Sequence, residues 1–70
     1  MKEKYKRISD ITVGQEVKIG LKVTYNTNRY VSGSVVYKDE KFITVKSKTY
    51  KESICLVDFV TGHAFVENVS

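Results

Sequence analysis

"EVKIGLKVTY", residues 16–25, decides the fold class. Val17, Ile19, Leu21, Val23 and Tyr25 occupy the odd positions, and Glu16, Lys18, Gly20, Lys22 and Thr24 the positions between them. Side chains alternate across a strand with period two, so this is a strand with one face in a core and the other in solvent. A helix needs apolar residues three and four apart, and no long stretch of the chain supplies that spacing, which limits any helix to a turn or two. Gly20, in the middle of the strand, is expected to mark a bulge or sharp bend.

Upstream, "DITVGQ" (10–15) reads as an apolar anchor followed by a turn at Gly14, and downstream "NTN" (26–28) reads as a turn. A second strand follows in "RYVSGSVVY" (29–37), with Val31, Gly33, Val35 and Tyr37 inward and Tyr30, Ser32, Ser34 and Val36 outward. Gly33 there permits curvature or a close backbone approach. "KDEK" (38–41) is a polar hairpin loop, with Asp39 and Glu40 read as solvated carboxylates, and "FITVKSKTY" (42–50) is the expected third strand. It would point Ile43 and Val45 inward and Thr44, Lys46, Lys48 and Tyr50 outward. "SICLVDFV" (53–60) is apolar on both faces, Ile54, Leu56 and Val60 against Cys55, Val57 and Phe59. Read as a fourth strand, it needs a second cover, either the N-terminal residues Tyr5, Ile8 and Ile11 or another protein chain. "TGH" (61–63) is a turn with Gly62 suited to positive φ, and "AFVENV" (64–69) is the last strand. Tyr5, Tyr25 and Tyr37 are expected in the core or at its rim.

Five short strands and two mid-strand glycines point to an all-β fold, a small twisted five-stranded barrel. "ITVGQEVKI" (11–19) followed by "YVSGSVV" (30–36) resembles the opening of SH3-like small barrels of the KOW and Tudor type. In those a Gly-x-x-Val strand start precedes a Gly-x-Val strand after a loop. The resemblance implies an SH3-like barrel over residues 11–60 and, as function, binding of nucleic acid or protein. The chain departs from the KOW pattern in offering "NTNRYVSG" where a run of basic and glycine residues would stand. Residues 1–7, "MKEKYKR", form a separable basic arm of net charge +3, and residues 8–70 a single domain.

Seventy residues bury about 60% of the surface that the unfolded chain exposes, too little for a deep substrate cavity. A lone Cys55 excludes an intrachain disulfide and suits a reducing, cytoplasmic setting; its neighbours Ile54, Leu56 and Val57 suggest a buried small hydrophobe. No apolar segment follows the basic start, and "ICLV" (54–57) is too short to span a bilayer. One His and one Cys, with scattered carboxylates, give neither metal-ligand spacing nor a nucleophile with an orienting base. His63 reads as an exposed turn residue, and neither a cofactor nor a small-molecule substrate is implied. A non-catalytic binding module remains, of the kind found among bacterial or phage accessory proteins.

Two binding readings stand. Lys46 and Lys48 with Tyr50 in line, Tyr30 on a neighbouring outward face, and Arg29 for phosphate contacts combine positive charge with stacking surfaces, as single-stranded nucleic acid requires. The same lysines also suit an exposed strand that resists edge-to-edge pairing. The alternative is a protein–protein module in which residues 54–60, from Ile54 to Val60, form a homodimer or bind a protein target.

Overall fold

The computed structural model describes residues 8–69. A 3-10 turn at Ile8–Asp10 is followed by β1 (Glu16–Thr24), β2 (Thr27–Lys38), β3 (Phe42–Lys46), β4 (Lys51–Cys55), the one-turn helix α1 (Val57–Thr61) and β5 (Ala64–Val69). The strands form a single antiparallel sheet in the order β4-β3-β2-β1-β5. The protein is therefore all-β apart from its two short helical turns, as the alternation of residues 16–25 predicts. No ladder joins β4 to β5 among the described residues, so the sheet is open.

Alternation builds the core. Val17 and Ile19 of β1, Val31 and Val35 of β2, Ile43 and Val45 of β3, Ile54 of β4, and Ala64 and Val66 of β5 are all buried, with Ile11 beneath them. Ile8, Leu21, Leu56, Phe59 and Val69 pack against this cluster. Each fully buried aliphatic side chain stabilises the fold by about 1.5–3 kcal/mol relative to exposure. Ile8 and Ile11 thus pack with the core, while Tyr5 and the basic arm lie outside the described residues. Lys38 fixes the 3-10 turn in place, its Nζ donating to the carbonyls of Ile8 (2.9 Å) and Ile11 (2.8 Å).

Two of three register shifts correct the inward and outward assignments. Between Val35 and Tyr37 the β2–β3 register slips by one, so Tyr37 pairs with Thr44 and Lys38 with the buried Ile43. Val36 is the extra residue, which turns Tyr37 to the solvent side, where its hydroxyl donates to Asp39 Oδ2 at 2.8 Å. A second slip between Lys22 and Thr24 makes Val23 the bulged residue and leaves Tyr25 and Asn26 as a two-residue loop. Val23 and Tyr25 are exposed at that tip, beyond the core, and the expected turn at residues 26–28 begins one residue early. The third slip, between Lys18 and Ile19, belongs to β5, where Glu67 is the extra residue.

Two element assignments also change. The expected third strand stops at Lys46, because Ser47 folds residues 47–50 into a turn. The Ser47 amide donates to the Tyr50 carbonyl at 2.8 Å, and the amides of Thr49 and Tyr50 donate to Ser47 Oγ at 3.3 Å. The doubly apolar stretch 53–60 is not one strand but the end of β4 followed by α1. Leu56 and Phe59, three apart, turn to the core, while Val57 and Val60 face solvent. Gly62 ends the helix in the left-handed region at φ 90°, as its position in the turn predicts. Cys55, expected buried, is half-buried at the β4–α1 junction.

Candidate functional site

On β2 the even residues Tyr30, Ser32 and Ser34 point away from the core, as does Lys46 on β3. Ser34 pairs with Lys46, and Gly33 lies so close to the Lys46 carbonyl that a Cβ would fall on it. The turn of residues 47–50 stands beside the outward residues of β2. An open groove of about 850 Å³ results, lined by Tyr30, Ser32, Gly33, Ser34 and Val36 of β2, by residues 46–50, and by Glu16 of β1.

Of the five residues that the sequence nominates, the structure brings four into this groove: Tyr30, Lys46, Lys48 and Tyr50. They do not share a strand face as expected. Lys46 ends β3, whereas Lys48 and Tyr50 come from the turn. Arg29 does not line the groove. It sits opposite Leu21 on the core-facing side of β2, and its guanidinium clasps Glu52 of β4, Nη1 donating to Oε1 at 3.0 Å and Nη2 to Oε2. This pairing raises the Arg29 pKa and holds the Glu52 carboxyl below its ordinary value. It is the one ion pair among the described residues, so Lys46 and Lys48 are not neutralised by a neighbouring acid there.

Polar contacts finish the surroundings. Ser34 Oγ donates to Glu16 Oε2 at 2.6 Å, fixing the one carboxylate among the described residues that line the groove. Thr44, also nominated as outward, shares a 2.8 Å hydrogen bond with Ser53 Oγ and stands outside the groove. Beyond Tyr30 the exposed face continues across β1 to β5: the Lys18 ammonium lies 4.9 Å from the Tyr30 ring centroid, and Phe65 meets Tyr30 edge-on at 6.2 Å. Gly20, paired with both Tyr30 and Phe65, is not at a register shift; a Cβ there would strike the Phe65 ring. Its role is to let an aromatic side chain lie over the strand.

Glu16, Lys18, Ser32 and Ser34 were readable as outward residues, yet nothing singled them out. The missing signal is the register Glu16↔Ser34 and Lys18↔Ser32, which juxtaposes them and which alternation alone does not give. Away from the groove, Asp39 is not merely a solvated carboxylate. Its Oδ1 accepts from the amides of Phe42 and Lys41, each at 2.8 Å, and these bonds, with the Tyr37 hydroxyl, hold its pKa down. His63 is exposed and shares a 2.7 Å hydrogen bond between Nδ1 and Thr61 Oγ1. Among the described residues no group of three His, Cys, Asp or Glu side chains is placed to hold a metal ion, and no helix is long and apolar enough to cross a membrane. The chain matches no protein-family model, no curated protein and no solved structure.

Proposed function

We propose that the chain is an SH3-like small barrel that binds single-stranded nucleic acid without catalysing a reaction. The barrel reading draws support from the twelve-residue β2, which ladders with β1 and with β3, and from the Arg29–Glu52 clasp that ties its first half to β4. It also draws support from α1, which connects the two edge strands and presses Leu56 and Phe59 on the core. The observation that carries the binding reading is the groove itself, where Lys46 and Lys48 lie among two half-exposed tyrosines, Tyr30 at 43% and Tyr50 at 45%. Two cations suit successive phosphates, and two ring faces suit unstacked bases.

Fluorescence anisotropy with labelled oligothymidylate and a duplex of equal length tests this. Single strands should bind more tightly than duplex. Replacing Lys46 and Lys48 together by Ala should shrink the log–log salt slope by about 1.4, the equivalent of two phosphate contacts. Tyr50→Ala should weaken single-strand binding about tenfold, within the range for one stacked base, and barely change duplex binding. Unaltered affinity and salt slope in the double variant would return those lysines to the role of solvated strand-end residues.

A second reading keeps the protein–protein alternative, with α1 as the surface. Ile54 is buried and Leu56 packs on the core, but Val57 and Val60 are exposed at 59% and 84%. Concentration-dependent sedimentation that Val60→Asp abolishes would favour this surface over the groove.

A further inference from the structure

Resting on the reading of the groove as a single-strand site, we infer that Glu16 makes the groove select guanine over the other bases. Among the described residues that line the groove Glu16 is the only acid, and its charge opposes phosphate. The sugar–phosphate backbone is therefore directed to the Lys46 and Lys48 side, and the Glu16 side is left to a base. A carboxylate only accepts hydrogen bonds, with about four lone-pair positions on two oxygens. The Ser34 hydroxyl occupies one position on Oε2, which orients the group and leaves Oε1 and the rest of Oε2 open.

Such an acceptor pair matches one base edge. Guanine presents N1–H and an N2 amino hydrogen side by side on its Watson–Crick edge, two donors for two oxygens. Adenine and cytosine each set one amino donor beside a ring-nitrogen acceptor, and that acceptor would face the carboxylate unfavourably. Thymine and uracil offer a single N3–H between two carbonyls, both repelled by the same charge. Tyr30 and Tyr50 then supply ring faces for the selected base, with no preference of their own needed. A bidentate base contact of this kind discriminates by about tenfold or more.

The test uses fluorescein-labelled hexamers: hexathymidylate, the same strand with one guanine, and the same strand with hypoxanthine, which keeps N1–H but lacks the amino group. A single guanine per strand avoids guanine quartets. The full-length protein should bind the guanine strand about tenfold more tightly than hexathymidylate, with the hypoxanthine strand between them. Glu16→Gln should equalise guanine and thymine and tighten hexathymidylate binding, since a repulsive charge is gone. Glu16 is exposed, so its replacement leaves the core intact, and the hypoxanthine comparison uses the unaltered protein in any case. Equal binding of the guanine and thymine strands, or a preference that survives in Glu16→Gln, would overturn the inference while leaving the groove's single-strand role standing. Failure of every hexamer to bind would overturn both.

Discussion

Gly33 pairs with Val17 in the β1–β2 ladder, and the Lys46 carbonyl and Ser47 amide crowd the place that its Cβ would take. Both obstacles are backbone, so relief requires β3 or the turn to move. Gly33→Ala should therefore cost about 2–3 kcal/mol in chemical denaturation, at the upper end for overpacking, and should disturb the groove as well. Gly20→Ala meets only the far edge of the Phe65 ring, which can swing aside. Its cost should be about 1 kcal/mol, mostly the lost Tyr30–Phe65 contact. Equal losses for the two variants would mean that the Lys46 backbone yields as easily as a side chain. The close backbone approach at Gly33 was legible in the sequence, whereas the bulge expected at Gly20 is not there. Which obstacle each avoids was not legible, because Phe65 and Lys46 arrive by pairing with strands remote in the chain.

At the scale of elements, the clearest misreading is instructive about α1. Leu56 and Val60 share a face in a strand, whereas Leu56 and Phe59 share one in a helix, and every residue from Ile54 to Val60 except Asp58 is apolar. Periodicity therefore could not decide, and Val and Phe favour strands. Packing decides: the turn into α1 sets the half-buried Leu56 and Phe59 against the core and leaves Val57 and Val60 exposed. Phe59→Ala should accordingly lower stability by about 2–3 kcal/mol, somewhat less than for a fully buried Phe. Val60→Ser should stay within about 0.5 kcal/mol of the native protein. Large loss at Val60 with little at Phe59 would restore the strand. The turn at residues 47–50 escaped notice for a different reason: it has no Gly, Pro or Asn, and the Ser47 hydroxyl supplies the bonds that such residues usually imply. By contrast β1 was legible because alternation and burial agree over Val17 and Ile19, and the site lysines were legible because charge is a property of composition. Their meeting with Glu16 and Tyr30 depends on register and on the turn.

For the whole molecule, the two ends of the pH–stability profile are set by contacts in different parts of the sheet. Asp39, at the β2–β3 turn, has its pKa lowered from 3.8, chiefly by the Phe42 and Lys41 amides and then by the Tyr37 hydroxyl. Glu52, in β4, has its pKa lowered from 4.5, chiefly by the Arg29 hydrogen bond. For a depressed carboxyl the unfolded chain takes up its proton first, so the stabilisation is complete above the unfolded value and disappears as pH falls through the folded one. The acid decline should thus begin as pH passes about 4.5 and deepen below 3.8, with the protein's charge of +4 climbing as its carboxylates protonate. Tyr37 has the opposite sign. Its hydrogen bond to Asp39, and then the Asp39 charge, raise its pKa above 10.0, so the unfolded chain loses this proton first. Its contribution is complete below that value and lost as pH rises through the folded one. Thermal melts across pH should therefore show a plateau near neutrality with a fall at each end. Tyr37→Phe should flatten part of the alkaline fall and, by withdrawing one donor from Asp39, make the acid fall slightly shallower. Glu52→Gln should shallow the acid fall and leave the alkaline one as it was. An alkaline limb identical in the native protein and Tyr37→Phe would show that the Tyr37–Asp39 bond does not govern stability at that end.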